Sequence, residues 1–250
     1  MNKPWQAAII TLMPEMWPGP LAFSLVGDAL ARGLWGLSVM PLRDFGVGPH
    51  QKVDDTPYGG GAGMVIKPDV ADAAMSVAKE QMPEATLVHL SPRGERLTQP
   101  LLHALSARPL ILFCGRYEAV DERALEKHAP HEISLGDFVL AGGDIAAMAI
   151  VEGCVRLLPG VLGDEGSIHE ESFGSGDYAD LLEYPHYTKP AIWDGREIPE
   201  ILTSGHHANV ARWRREQAEA ITKARRPDLW ARYVSAIHGK NHSRIPSDEN

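Results

Sequence analysis

The chain has 250 residues, 44% of them hydrophobic, and a formal net charge of −9. That is ample for a folded core, and no stretch approaches the roughly 18 apolar residues of a membrane helix, which argues for a soluble globular protein without a membrane partner. Net acidity, taken alone, argues against nucleic acid.

The N-terminal MNKPWQAAIITLMPEMW has one lysine and a short apolar run that Pro14 and Glu15 cut off, with no small-residue cleavage site after it. It reads as a first strand over 7–12 rather than a signal peptide. In order, the pattern then predicts a helix over 21–34, a strand over 37–42, a helix over 70–81, a strand over 86–90, a helix over 99–107 and a strand over 110–113. A helix over 120–128, short strands near Ile133 and Val139, and a helix over 145–158 follow. Such alternation predicts an α/β fold with a mostly parallel sheet covered by helices.

After Pro159 the texture changes: GVLGDEGSIHEESFGSGDY, residues 160–178, is rich in Gly, Ser and acid without periodicity and reads as a flexible linker. From Ser204 a helix resumes, with Val210, Trp213, Ile221 and Ala224 as its apolar stripe and Arg212, Arg215 and Arg226 off it; Trp213 is expected to pack on that stripe. Pro227 is suited to the first turn of a further helix. The expected organisation is a body over 1–160, a linker over 161–178 and a helical domain over 179–250. Charge follows the same division. Residues 201–250 carry nine Lys/Arg against five Asp/Glu, and residues 1–200 carry fifteen against twenty-eight, so a basic tail is joined to an acidic body. Such a tail fits either a polyanion such as RNA or a solvated helix face.

The two cysteines, Cys114 and Cys154, sit in apolar runs and read as buried free thiols of a cytoplasmic protein. No CxxC or HExxH occurs, so no zinc motif is present.

Two apolar runs break at glycine: LILFC ends at Gly115, and ISLGDFVLA leads to Gly142 and Gly143. Glycine at a strand exit lets a ligand approach bare backbone, and two such ends predict a pocket for a small polar ligand with an adenine or amino-acid end. VDDTPYGGGAGM adds a glycine-rich loop that is neither a P-loop nor a dinucleotide fingerprint. Its composition suits a loop that moulds around a substrate and closes.

RDF at 43, VDDTPYGGGAGM at 53, LSPRG at 90, CGRYEAVDER at 114, SLGDFVLAGGD at 134, RLLPGVLG at 156, EESF at 170 and PHYTKP at 185 occur in that order. Together they resemble the bacterial tRNA (guanine-N1)-methyltransferases that modify guanosine 37, a family of the SPOUT class. The resemblance implies a deep trefoil knot over roughly 86–158, a feature strand patterns do not reveal. It also implies S-adenosyl-L-methionine as methyl donor, a homodimer and tRNA bound across both subunits. Matched by motif position, the donor site comprises Leu90, Ser91, Pro92, Gly115, Tyr117, Glu118, Leu135, Gly136, Asp137, Phe138, Val139, Leu140, Gly142 and Gly143. RNA contacts fall on Asp54, Gly61, Glu183, His186, Tyr187, Arg212, Arg214 and Arg215.

Guanine N1 carries a weakly acidic proton, so its methylation needs a general base beside it and a cation at the adjacent carbonyl oxygen. The resemblance assigns these roles to Glu171 and Arg156. Glu171 stands where the family has aspartate, with Glu170 as the neighbouring alternative; Arg156, without the resemblance, reads as a cation at a helix C-terminus. Glu118 and Glu171 are the candidate pair for a magnesium ion. His89, Phe138, Ala141, Asp144 and Glu183 also depart from the family's usual residues. The competing functions are a ribose 2′-O-methyltransferase, an RNA-binding relative without catalysis, and a dinucleotide-dependent oxidoreductase.

Overall fold

A computed structural model describes residues 3–163 and 167–242. Residues 164–166 of the expected linker and 243–250 of the expected C-terminal domain lie outside the described residues. The chain divides into two compact units, Met1–Gly163 and Asp164–Asn250.

The first unit is built on strands β1 (Trp5–Thr11), β2 (Trp35–Pro41), β5 (Thr86–Arg96), β6 (Leu110–Phe113) and β8 (His131–Ser134), in the spatial order β2-β1-β6-β5-β8. Every neighbouring pair in that sheet is parallel. A second small sheet joins β3 (Asp54–Asp55), β4 (Val65–Ile66) and β7 (Ala119–Val120). Helices α1 (Ser24–Ala31), α2 (Pro68–Gln81), α3 (Gln99–Ser106), α4 (Glu122–His128) and α5 (Asp144–Val155) follow the strands.

The central strands are apolar on both faces because both faces are covered. Ile9, Leu110 and Leu112 point into one core with α5 residues Ala147, Ile150, Val151 and Cys154. Ile10, Ile111 and Phe113 point into the other with Val70, Ala74 and Met75 of α2 and Leu125 of α4. The helix boundaries have local causes. Pro68 opens α2, and the Asp121 carboxylate caps α4 by accepting from the Arg123 N–H. Thr98 caps α3 by accepting from the Leu101 N–H.

Four expectations need correction. Val139 is not in a strand: the chain leaves the sheet after Ser134, and Val139 is 84% exposed. The 86–90 strand runs on to Arg96, because pairing with β8 resumes after an interruption between Leu90 and Glu95. The helix expected over 21–34 starts at Ser24, since Phe23 is extended after a 3-10 turn at Gly19–Ala22. The helix expected to reach Leu158 ends at Val155, leaving Arg156 as its C-cap.

The second unit contains α6 (Ser167–Glu170), a 3-10 turn at Gly176–Tyr178, a hairpin of β9 (Ile192–Trp193) and β10 (Arg196–Glu197), and helices α7 (His207–Arg225) and α8 (Pro227–His242). Asp194 and Gly195, both at positive φ, make the two-residue turn of the hairpin. Leu181, Tyr184, Ala218 and Tyr233 form its core. The stripe on α7 differs from expectation at one end: Ala224 is exposed, and Ala218 and Thr222 are the buried positions. Trp213 is half-buried with its ring 6.3 Å from that of Tyr187.

Candidate active site

The middle of β5 and the exits of β6 and β8 converge on one cavity of about 400 Å³, a volume suited to a nucleoside-sized ligand. Its wall on the β5 side is a loop that leaves the sheet: Leu90 and Glu95 both pair with Ile133, so Ser91 to Gly94 is extruded. Only glycine closes that loop, since a Cβ on Gly94 would stand 2.4 Å from the Glu132 carbonyl carbon and the Ile133 nitrogen.

The opposite wall is the turn into α5. The Gly143 N–H donates to the Gly115 carbonyl at 2.8 Å, and Arg116 bridges Gly142 in antiparallel fashion. A Cβ on Gly143 would stand 2.9 Å from Cys114 Cα, 3.1 Å from Leu90 Cβ and 3.2 Å from the Gly115 nitrogen. Backbone atoms cannot step aside, so overpacking there costs about 1–3 kcal/mol and displaces the cavity wall. Gly143→Ala is expected to weaken binding of the donor that the sequence resemblance implies, S-adenosyl-L-methionine, at least about tenfold in calorimetric titration. Wild-type affinity in that variant would remove this turn from the donor site.

Of the residues expected to form the donor site, Leu90, Ser91, Pro92, Gly115, Tyr117, Glu118, Leu135, Gly136, Phe138, Val139, Leu140, Gly142 and Gly143 line the cavity. Asp137 is not among the lining residues. Phe138, Val139 and Leu140 expose apolar surface there, and Tyr117 holds a left-handed φ of 64°, a backbone strain typical of ligand clamps.

Ionic groups flank this apolar rim. Arg93 reaches Glu122 at 3.1 Å and Glu132 at 3.5 Å. The buried His89 sets Nδ1 3.4 Å from the Phe113 carbonyl oxygen, and burial pushes its pKa below the usual histidine value. A neutral ring can still donate from Nδ1 to that carbonyl. Burial likewise raises the Cys114 thiol, and Cys154 is pushed up to about 12, so neither is a ready nucleophile.

Beneath the cavity lies a polar cluster that the sequence reading did not find. Asp144, 1% exposed, accepts from Thr11 Oγ1, from Trp17 Nε1 at 3.2 Å, and from Arg116 Nε and Nη2 at 3.3 and 3.2 Å. An acid opening a helix was the one available signal. Its partners come from 28, 127 and 133 residues away, which no local pattern encodes.

The glycine-rich loop attaches to the same cavity through β4 and β7. The Glu118 N–H donates to the Met64 carbonyl at 3.0 Å, and a Cβ on Gly63 would meet the Glu118 side chain. Gly61 lies in the exposed part of that loop, and Asp54 is half-buried in β3.

Arg156 does not line this cavity. It borders a second, largely apolar one of about 430 Å³ between α1 and α5, with Phe23, Leu25 and Ile145.

In the second unit, Glu171 follows α6, and its carbonyl accepts from the Gly174 N–H at 2.9 Å. His186 Nε2 lies 2.8 Å from Glu183 Oε1, within hydrogen-bond distance. Arg212 is exposed on α7, whereas Arg215 turns inward to Glu219 at 3.2 Å and to the Tyr233 hydroxyl at 2.9 Å. The Tyr184 phenol is pushed up to about 12, chiefly by burial, with the Glu170 carboxylate adding to it. Among the described residues no three His, Cys, Asp or Glu side chains group as metal ligands. Glu118 and Glu171 belong to different units. Two such carboxylates are fewer than a magnesium site's usual ligand set, so no chemical step is routed through a metal.

Comparison with known proteins identifies relatives along most of the chain. The chain is 55% identical over 231 residues to a tRNA (guanine-N(1)-)-methyltransferase of Ruegeria pomeroyi, covering 92% of this chain and 93% of the relative. It is 53% identical over 232 residues to that of Gluconobacter oxydans, covering 92% and 97%. Against that of Rhodospirillum rubrum it is 52% identical over 232 residues, covering 92% and 95%. Residues 5–232, which span the cavity, the glycine-rich loop and the Glu171 turn, match the family described as tRNA (Guanine-1)-methyltransferase TrmD, and the chain belongs to that family.

Proposed function

We propose that this protein transfers a methyl group from S-adenosyl-L-methionine to N1 of guanosine 37 in tRNA. The observation that carries the reading is the cavity where Leu90–Arg93 of β5 meets the ends of β6 and β8, edged by Gly115, Gly142 and Gly143, in a chain that belongs to the TrmD family. When bound, the donor supplies an electrophilic methyl on a sulfonium centre. Leu90, Tyr117 and Leu140 offer it apolar surface, while the backbone at Gly115 and at Gly142–Gly143 approaches it without side-chain obstruction. Glu171 takes the N1 proton, which frees the lone pair that forms the new N–C bond; the methyl–sulfur pair departs with sulfur, leaving a neutral thioether. Arg156 stabilises the charge that gathers on the guanine carbonyl oxygen.

The reading extends to architecture. Residues 86–158 form the trefoil knot, and two copies assemble as a homodimer with tRNA across both. Phe23, 73% exposed beside Leu25 and Ile145 at the cavity that Arg156 borders, supports an apolar subunit contact. His186 and Arg212 are the exposed RNA contacts, with Asp54, Gly61, Glu183 and Arg215 completing the set. Work on tRNA is expected to place the protein in the cytoplasm, in keeping with two buried free thiols.

A tRNA transcript with guanosine at positions 36 and 37, compared with one altered at 36, tests the choice of nucleotide. Methylation at 37 that is lost when 36 is changed is expected. Equal methylation of both, or a methyl group elsewhere, would overturn the assignment.

A further inference from the structure

Glu170 and Glu171 are adjacent acids, and the structure gives the first a distinctive set of partners. Glu170 closes α6, and its Oε2 accepts a hydrogen bond from the Tyr184 hydroxyl at 3.1 Å. The same oxygen lies 3.4 Å from Arg214 Nη1 on α7. Arg214 is itself held: its Cζ stands 4.8 Å from the centre of the Tyr184 ring, over which the cation is attracted. Tyr184 belongs to the core of the second unit, so it is a fixed post rather than a mobile surface group. Two bonds tie the same turn just beyond Glu171. The Glu183 N–H donates to Ser172 Oγ at 2.9 Å, and the Phe173 N–H donates to the Leu181 carbonyl at 3.1 Å.

We infer that Glu170 is a positioning residue, whose carboxylate, clamped by Arg214 and Tyr184, fastens the turn that presents Glu171. The inference rests on Glu171 being the base. Position 171 is held on one side by this clamp and on the other by the bonds at 172 and 173. Residue 171 therefore has little freedom to swing away, which matters because a displacement of about 1 Å at a reacting group can cost about a hundredfold in rate. Glu170 commits one carboxylate oxygen to two donors, a role an amide oxygen can also fill.

That last point separates anchoring from catalysis. Single-turnover methyl transfer to tRNA is measured for Glu170→Ala, Glu170→Gln, Arg214→Ala, the double variant E170A/R214A, and Glu171→Gln, each with a donor titration. Glu170→Ala and Arg214→Ala are expected to lower the transfer rate about ten- to a hundredfold, with donor affinity unchanged and the double variant no slower than the slower single. Glu170→Gln, which keeps an acceptor for Tyr184 and Arg214, is expected to stay within about fivefold of wild type.

If Glu170→Gln is as inactive as Glu171→Gln, Glu170 is the base and the anchoring role fails. Full activity in Glu170→Ala, or a change only in the KM for tRNA in Arg214→Ala, also overturns it. Wild-type transfer by Glu171→Gln would sink the base assignment and this inference with it, whereas unchanged transfer in Glu170→Ala and Arg214→Ala beside an inactive Glu171→Gln would sink the anchoring role alone. Should Glu170→Ala not fold, Tyr184→Phe removes one hydroxyl from the clamp and must lower the rate in the same direction; an unchanged rate there counts against the clamp.

Discussion

Glu171→Gln is expected to stop methyl transfer, with a rate loss of about 10²–10⁴-fold, while S-adenosyl-L-methionine binds as before. The substitution keeps the size of the side chain and its acceptor oxygen but removes its capacity to take a proton at neutral pH. The cavity proposed for the donor is lined wholly by residues of the first unit, whereas residue 171 belongs to the second. Donor affinity therefore has no reason to change. Glu171 also tests the departure expected at this position, where the sequence resemblance puts an aspartate one methylene shorter. Glu171→Asp should retain measurable transfer, since a shorter carboxylate can still accept the proton after a small shift of the turn. Wild-type transfer by Glu171→Gln, or loss of donor binding with it, would remove Glu171 from the role of base.

The largest effect on stability is expected from Asp144→Ala. Its carboxylate is buried beneath the cavity and receives Thr11, Trp17 and Arg116. Deletion leaves a mostly buried guanidinium and an indole N–H without their acceptor, and breaking a buried pair from one side costs about 3–5 kcal/mol. Against the roughly 5–15 kcal/mol that keeps a domain folded, that is a large fraction. For a chain of this size the midpoint of thermal unfolding should fall by roughly 6–20 °C. The carboxylate also braces the wall of the cavity, because Arg116 bridges Gly142 and lines it. Asp144→Glu, which keeps the charge, is expected to lose much less. An unchanged melting midpoint for Asp144→Ala would show that the cluster carries no such weight.

Sequence pattern captured the parts of this fold that are set by local chemistry. The strand at Leu110–Phe113 was legible to the residue, because a run buried on both faces is continuously apolar and ends at glycine. Pro227 marked a helix start for an equally local reason. Errors arose where a partner distant in sequence decides. Phe138, Val139 and Leu140 have the composition of a strand, yet no neighbour pairs with them and they border the cavity instead. The Ser91–Pro92 step looked like a strand end, although β8 takes up pairing again at Glu95. On α7, burial follows the Tyr184 and Tyr233 core, which selects Ala218 and Thr222 over Ala224. The hairpin at Asp194–Gly195 carried a known turn signal, but its strands are only two residues long and offer no alternation to notice.

The site divides the same way. Glycine at the strand exits revealed the cavity, since bare backbone is a local property. The Asp144 cluster stayed hidden because it joins segments more than a hundred residues apart. The Glu170 clamp was equally out of sight, because Arg214 lies 44 residues further along the chain.

Transfer of a labelled methyl group to a tRNA transcript, followed by nuclease digestion and mass mapping of the methylated nucleoside, tests the proposed activity most directly. The expected product is 1-methylguanosine at position 37. A methyl group on a ribose 2′ oxygen, or tRNA binding with no label transferred, would contradict it.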